Sequence, residues 1–216
     1  MLIQMNDKIS IQTLNDISKK KINELSEIMG AGFFSDPLLM WMIKKHEDRF
    51  AVSRDFFKMY IELGIKDGIV DVAYHVTKEN KNPIGVAVWF PNDIDATSVY
   101  AKTNDVCRNY ANNFHHFYKT LSSHYPDKPS YYILAATSVL ANYHGLGVGY
   151  KLLQYRLEIL DHLGISSYLE ASTKRSSKGI YKRLGYEFIN KPIPFPEGVD
   201  VYPMWRDSKL EIVQTI

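Results

Sequence analysis

Three glycines, Gly145, Gly147 and Gly149, fall at alternate positions in N-Y-H-G-L-G-V-G-Y-K-L-L-Q-Y-R-L-E-I-L, residues 142–160. Leu153, Leu157, Leu160 and Leu163 follow at spacings of four, three and three, which predicts an amphipathic helix over 147–163. A helix that starts at such a stretch directs its unbonded first-turn N–H groups, and the positive end of its dipole, through a surface without Cβ atoms. A phosphate or diphosphate is the natural occupant of that surface. A tight turn that needs positive φ is the plainer explanation, and it accounts for one glycine more easily than for three.

Two known phosphate patterns compete for this stretch. The P-loop ends in Gly-Lys followed by Ser or Thr, but here Tyr150 precedes Lys151 and Leu152 follows it. The dinucleotide pattern G-x-G-x-x-G would begin at Gly145, with Tyr150 in place of its third glycine. In its favour, Glu170 lies 21 residues after Gly149, near where a ribose-binding acid belongs. Against it, five residues separate Val139 from Gly145, and too little chain remains for a doubly wound sheet. A dinucleotide-binding oxidoreductase is therefore the weaker alternative.

Other residues have the chemistry to move protons. Glu170 stands near the end of a short strand, Ser167–Ser172, where a carboxylate that satisfies nearby amides is an equal explanation. His115, His116 and His124 are further bases, but adjacent His115 and His116 cannot face the same way on a helix. Neither HExxH nor CxxC spacing occurs, so no metal is expected. Lys174, Arg175, Lys178, Lys182 and Arg183 form an acid-free basic run whose plain reading is a solvated helix face.

The elements that must position these residues follow from periodicity. Residues 22–43 read as helix broken at S-D-P, where Pro37 opens a second helix, and 49–65 read as another. Strands are expected at 69–76 and 83–90, joined by a polar turn as an antiparallel hairpin. Residues 95–123 mix aromatic and amide side chains with no strand signal. They predict a helical insert, with Tyr110 and Phe114 among candidate ligand-lining residues. Then come strand 131–140, the glycine-led helix, strand 167–172, a helix over 176–184 stopped by Gly185, and strands at 186–189 and 201–206. Strand-helix-strand implies a right-handed parallel crossover, so one α/β domain spanning 1–216, with a mixed sheet of about six to seven strands flanked by helices, is expected.

Composition limits the partners. The 216 residues carry a net charge of +2, too little for a nucleic-acid surface. No apolar run approaches the length that crosses a bilayer or marks a signal peptide, and Cys107 has no disulfide partner. A soluble cytoplasmic protein, monomer or homodimer, is the expectation.

T-S-V-L-A-N-Y-H-G-L-G-V-G-Y-K-L-L resembles the acetyl-coenzyme A signature of the GNAT N-acetyltransferases, a hydrophobic strand leading through [QR]-x-x-G-x-[GA] into a helix. Gly147 and Gly149 match its two small positions and Val139 its strand residue, while His144 replaces Gln or Arg and Ala141 a frequent Pro. Further matches follow in order. I-Y-K-R-L-G-Y-E-F resembles the family's second half, A-G-F-F-S-D-P-L and G-V-A-V-W-F-P its first helix and third strand, and M-W-R its last strand.

The resemblance implies a GNAT fold and transfer of acetyl from acetyl-CoA to a primary amine, with a small molecule favoured over a protein because the insert would wall off the acceptor side. It implies cofactor contacts from Val139, His144, Gly145, Leu146, Gly147, Val148, Gly149, Ser176 and Lys178, and from a strand N–H at or beside Val139 that polarises the thioester. Tyr181 takes the place of the general acid, and Glu170 is a candidate base. The same fold holding CoA without turnover is the alternative, with His144 as its sign.

Overall fold

Residues 8–15 and 18–209 are described by the computed structural model. Its strands are β1 (Lys8–Thr13), β2 (Ile69–Val76), β3 (Lys81–Pro91), β4 (Tyr131–Val139), β5 (Ser166–Ala171), β6 (Glu187–Phe188), β7 (Ile193–Phe195) and β8 (Val199–Arg206). The helices are α1 (Lys19–Phe33), α2 (Pro37–Met42), α3 (His46–Asp67), α4 (Ala96–Cys107), α5 (Ala111–Ser122), α6 (Val148–His162) and the short α7 (Lys174–Ser176). One sheet runs in the order β1-β2-β3-β4-β5-β8-β6, with β7 on β8. It holds two short strands, β1 and β7, that the periodicity did not announce. β1 is a half-exposed edge strand, and β7 is three residues with a proline at its centre.

Pairing is antiparallel throughout the described residues except between β4 and β5. A sheet with one parallel pair lacks the doubly wound half that a dinucleotide site needs, so the oxidoreductase reading fails on topology. Period-two alternation gives the sheet its two cores. Val70, Val72, Val86, Val88 and Phe90 face the layer of α1, α3 and the insert, while Ala73, Ala87 and Trp89 face α6.

Two features prepare the site. The first is a splay. Tyr131–Leu134 pair with Ser166–Leu169 and the pairing then stops, although both strands continue. A bulge at Ala135 coincides with the stop: Val88 lies opposite Ala136 while Trp89 lies opposite Leu134. From there to Val139, β4 has one unpaired edge.

The second feature is the anchoring of α6. Arg156 donates from Nε and Nη2 to both oxygens of Asp71 on β2, at 2.9 and 2.6 Å, and from Nη2 to Thr13 Oγ1 at 2.6 Å. Arg206 of β8 donates to both oxygens of Asp161, at 2.7 and 2.6 Å. Such forked pairs are directional, so they fix how the helix lies on the sheet more than they stabilise it. The helix they fix is the one that begins at the glycines.

Candidate active site

The open edge of β4 forms one wall of a cleft of about 550 Å³, with Leu169, Glu170 and Ser172 among the residues that face it. Val139 and His144 also line a second cavity, of about 610 Å³, at the glycine loop. Gly145 and Gly147 have φ of 79° and 76°, and Gly147 caps α6. Left-handed backbone therefore explains two of the three glycines. Gly149 needs another reason. A Cβ there would lie 3.5 Å from Ile180 and 3.6 Å from Val139, so the glycine keeps the cavity wall low at the first turn.

No side chain caps α6 and no acid stands in its first turn. Its leading amides are thus left for an outside acceptor, and Lys151 and Arg183 line the same cavity with positive charge. Of the expected contacts, Val148 is buried in the core and Leu146 is exposed. His144 Nε2 bonds the Val139 carbonyl at 2.7 Å and ties the loop to β4. Ser176 lines the cleft, its hydroxyl donating to the Thr173 carbonyl at 3.0 Å. Lys178 is exposed and lines neither cavity; Arg175 is the basic residue of that run on the cleft. The strand irregularity lies at Ala135, four residues before Val139.

Glu170 stands on β5 where the splay opens. Its Oε1 is shut off from solvent and has no hydrogen-bond partner among the described residues. Burial pushes its pKa up to about 8, opposed in part by the neighbouring Tyr168 hydroxyl and its own backbone N–H. A carboxyl group in this state exchanges a proton near neutral pH, as a catalytic acid or base must.

Tyr181 lines the same cleft. It ends a π turn, Ser177–Tyr181, that prolongs α7, a distortion of the kind often found at functional sites. Its ring packs edge-on against Tyr186 at 6.1 Å, and no described residue bonds its hydroxyl. Burial, with a smaller contribution from the negative Asp36, raises its pKa to about 12. The phenol therefore keeps its proton, the state a donor must start from.

Asp36 is the acid that sequence reading missed. It was visible only as part of a helix break, and it does cap α2, its Oδ1 accepting from Leu38 and Leu39 at 3.0 and 3.2 Å. Its other oxygen accepts from the Ser172 hydroxyl, 136 residues away, and the side chain lines the cleft. Burial raises its pKa despite the bonds from Ser172, Leu39 and Leu38. A capping signal is local, and nothing local announces the Ser172 contact.

Behind Glu170 lies a third cavity, of about 250 Å³, whose walls include Val99 and Tyr100 of α4 and Phe117, Tyr118 and Leu121 of α5. The insert thus does line a cavity, through Tyr100, Phe117 and Tyr118 and not through Tyr110 or Phe114. Tyr110 donates to Asp48 at 2.6 Å, and Phe114 is fully buried against Phe56 at 4.6 Å; both hold the insert in place. The histidines leave the reckoning as bases. His115 packs on Tyr100, His116 on Trp41 and Phe195, and His124 bonds the Thr120 carbonyl; none lines a cavity described above. Among the described residues, no group of three or more His, Cys, Asp or Glu is placed to hold a metal ion.

A family model described as the acetyltransferase (GNAT) family matches residues 40–186. Solved structures share the fold at low identity. A histone acetyltransferase HPA2-related protein from Corynebacterium glutamicum superposes with a TM-score of 0.65 at 21% identity, covering 94% of this chain and 99% of its own. A polyamine N-acetyltransferase of Drosophila melanogaster, which catalyses formation of N-acetylagmatine, gives 0.67 at 15%, covering 93% and 100%. A chain of the NatC complex, solved with Gag peptide and CoA, gives 0.56 at 14%, covering 93% and 98%. No curated protein matches the chain.

Proposed function

Because the chain belongs to the GNAT acetyltransferase family, we propose that it transfers acetyl from acetyl-CoA to the primary amine of a small molecule, with Glu170 as base and Tyr181 as acid. The observation that carries the reading is their convergence: a carboxylate oxygen and a phenol, each without a hydrogen-bond partner among the described residues, share one cleft, and the same cleft adjoins an anion cradle. The cradle fits a CoA diphosphate. Its amides are uncapped, its charge is positive, and its glycines stand against open space at Gly145 and Gly147.

When bound, acetyl-CoA supplies an activated acyl group. The rest falls to the chain. The free edge of β4, from the bulge at Ala135 to Val139, offers backbone groups along the cleft, and an N–H there steadies the negative charge that develops on the thioester oxygen. Glu170 removes a proton from the attacking nitrogen, which is cationic at neutral pH and cannot attack until it gives one up. Nitrogen then bonds to the acyl carbon as the carbon–sulfur bond breaks, and Tyr181 delivers a proton to the departing sulfur. The second proton lost by nitrogen restores the phenol. Asp36 is the less suited base, because it already accepts three hydrogen bonds.

Thiol release from acetyl-CoA across amines, amino acids, aminoglycosides and peptides tests the proposal. Turnover with a small amine is the expected result. Saturable acetyl-CoA binding without thiol release for any acceptor refutes it and leaves the CoA-holding module with His144 in the loop.

A further inference from the structure

We propose that the cavity behind Glu170 seats the tail of the acceptor, and that this tail is a single aromatic or equally bulky apolar group carrying no second charge. The inference rests on the acetyl-transfer reading and adds the class of amine.

Tyr60, Phe117, Leu121, Ala135 and Glu170 line both the cleft and this cavity, so the two meet at the carboxylate. A nitrogen held by Glu170 at the junction has its carbon chain directed either back along the cleft or into the cavity. The cleft side is where β4 presents its free edge. The cavity is the space left for the tail.

Its lining sets what that tail is. Phe90, Tyr100, Tyr118 and Tyr125 bring ring faces and edges, with Tyr100 and Tyr118 5.4 Å apart. Among the described residues, Glu170 is the one charged side chain on its wall. The polar groups are partly engaged: Asn92 Oδ1 accepts from the Tyr131 N–H at 3.1 Å, and the Ser122 hydroxyl donates to the Lys119 carbonyl at 3.2 Å. A diamine that placed its first nitrogen at Glu170 would carry the second into this cavity without a counter-charge, where desolvation outweighs cation–π attraction. An uncharged apolar group meets no such penalty.

Size points the same way. An apolar cavity of about 150 Å³ accepts a benzene ring. About 250 Å³ holds a phenyl or indole ring with a short linker. The amine expected is therefore a primary nitrogen one or two carbons from such a ring.

The test compares kcat/KM for phenylethylamine, tryptamine, ethylamine, putrescine and agmatine. The two aryl amines should exceed ethylamine and putrescine by at least about 10-fold, the discrimination an apolar pocket supplies. Val99→Phe, which fills the cavity, and Tyr100→Ala, which removes a half-buried wall, should each lower kcat/KM for the aryl amines by about 10-fold or more. Acetyl-CoA KM should hold, and ethylamine, which leaves the cavity empty, should lose less than the aryl amines. If Val99→Phe fails to fold, Tyr100→Ala decides alone. Putrescine or agmatine used as well as the aryl amines overturns the inference and leaves acetyl transfer intact. Equal losses on ethylamine and aryl amines also overturn it. No thiol release with any of the five overturns the inference, and the parent reading falls with it only if the amino acids, aminoglycosides and peptides also give none.

Discussion

Replacing Glu170 with Gln should damage activity and raise stability at once, and the two effects have one cause. Gln keeps the size of the side chain and deletes its charge. With the carboxyl pKa pushed up to about 8, only about a tenth of the free enzyme carries the carboxylate at pH 7. For an acceptor amine that stays cationic through this range, wild-type kcat/KM should then climb about 10-fold between pH 7 and pH 9 and level off. Glu170→Gln should lose the inflection near pH 8 and fall about 100- to 10,000-fold below wild type on the plateau. Stability moves the other way. The folded pKa lies above the ordinary 4.5, so stability present below pH 4.5 is lost as pH rises through about 8. Holding the carboxyl at about 8 instead of 4.5 makes the ionised fold less stable by on the order of 3 kcal/mol. For a chain of this length that is about 6 °C in Tm. Glu170→Gln should therefore melt about 6 °C above wild type at pH 9 and close to it at pH 5. Steady-state kinetics and thermal melts across pH 5–9 read both. A variant that keeps the kinetic inflection, or gains no stability at alkaline pH, refutes the assignment.

Tyr181→Phe deletes a hydroxyl with no partner among the described residues, so acetyl-CoA affinity should hold while kcat falls about 100- to 10,000-fold. The loss should shrink with an acyl donor whose thiol is more acidic; the same factor with every donor would point to packing instead. Gly149→Asp probes the cradle more cleanly than a change at Gly147, whose φ of 76° would strain any replacement. Its Cβ has room at 3.5 Å from Ile180, and an acid in the first turn suits the helix dipole. Tm should hold or rise while calorimetric acetyl-CoA affinity falls at least about 10-fold, and unchanged affinity would remove the diphosphate from this loop.

How much of this was readable depended on whether the cause was local. The glycine loop was, because its residues are consecutive and their task is done by backbone; so was Gly185, whose φ of 92° ends the helix after Tyr181. The β2–β3 hairpin and the β4–β5 crossover followed from strand patterns and the spacing between them. The edge strand β1 escaped because its partner register with β2 is set some 60 residues later in the chain. Gly145 and Gly147 were read mainly as space for an anion, whereas their backbone angles are what each requires first. Arg175 and Lys178 were both read as phosphate contacts, and of the two Arg175 is the one that lines the cleft.

The acceptor side was less readable for a physical reason. Its walls come from α3, α4, α5, β3, β4 and β5, segments that lie far apart in the chain. Tyr110 and Phe114 looked equivalent to Tyr100 and Tyr118 in composition, yet one pair anchors the insert and the other faces the cavity. The two halves of the site also lie on opposite sides of the splay: the cradle on the α6 side, the aromatic cavity on the α4–α5 side. They connect through the cleft, which adjoins the cradle at Val139 and His144 and the aromatic cavity at Glu170. On the proposed reading, a change in the insert can therefore alter the acceptor without reaching the diphosphate, and a change in the glycine loop can do the reverse. That separation would let one backbone solution for CoA coexist with an acceptor pocket built largely from side chains. It would also explain why a motif in sequence points to the donor while the acceptor has to be read from the cavity.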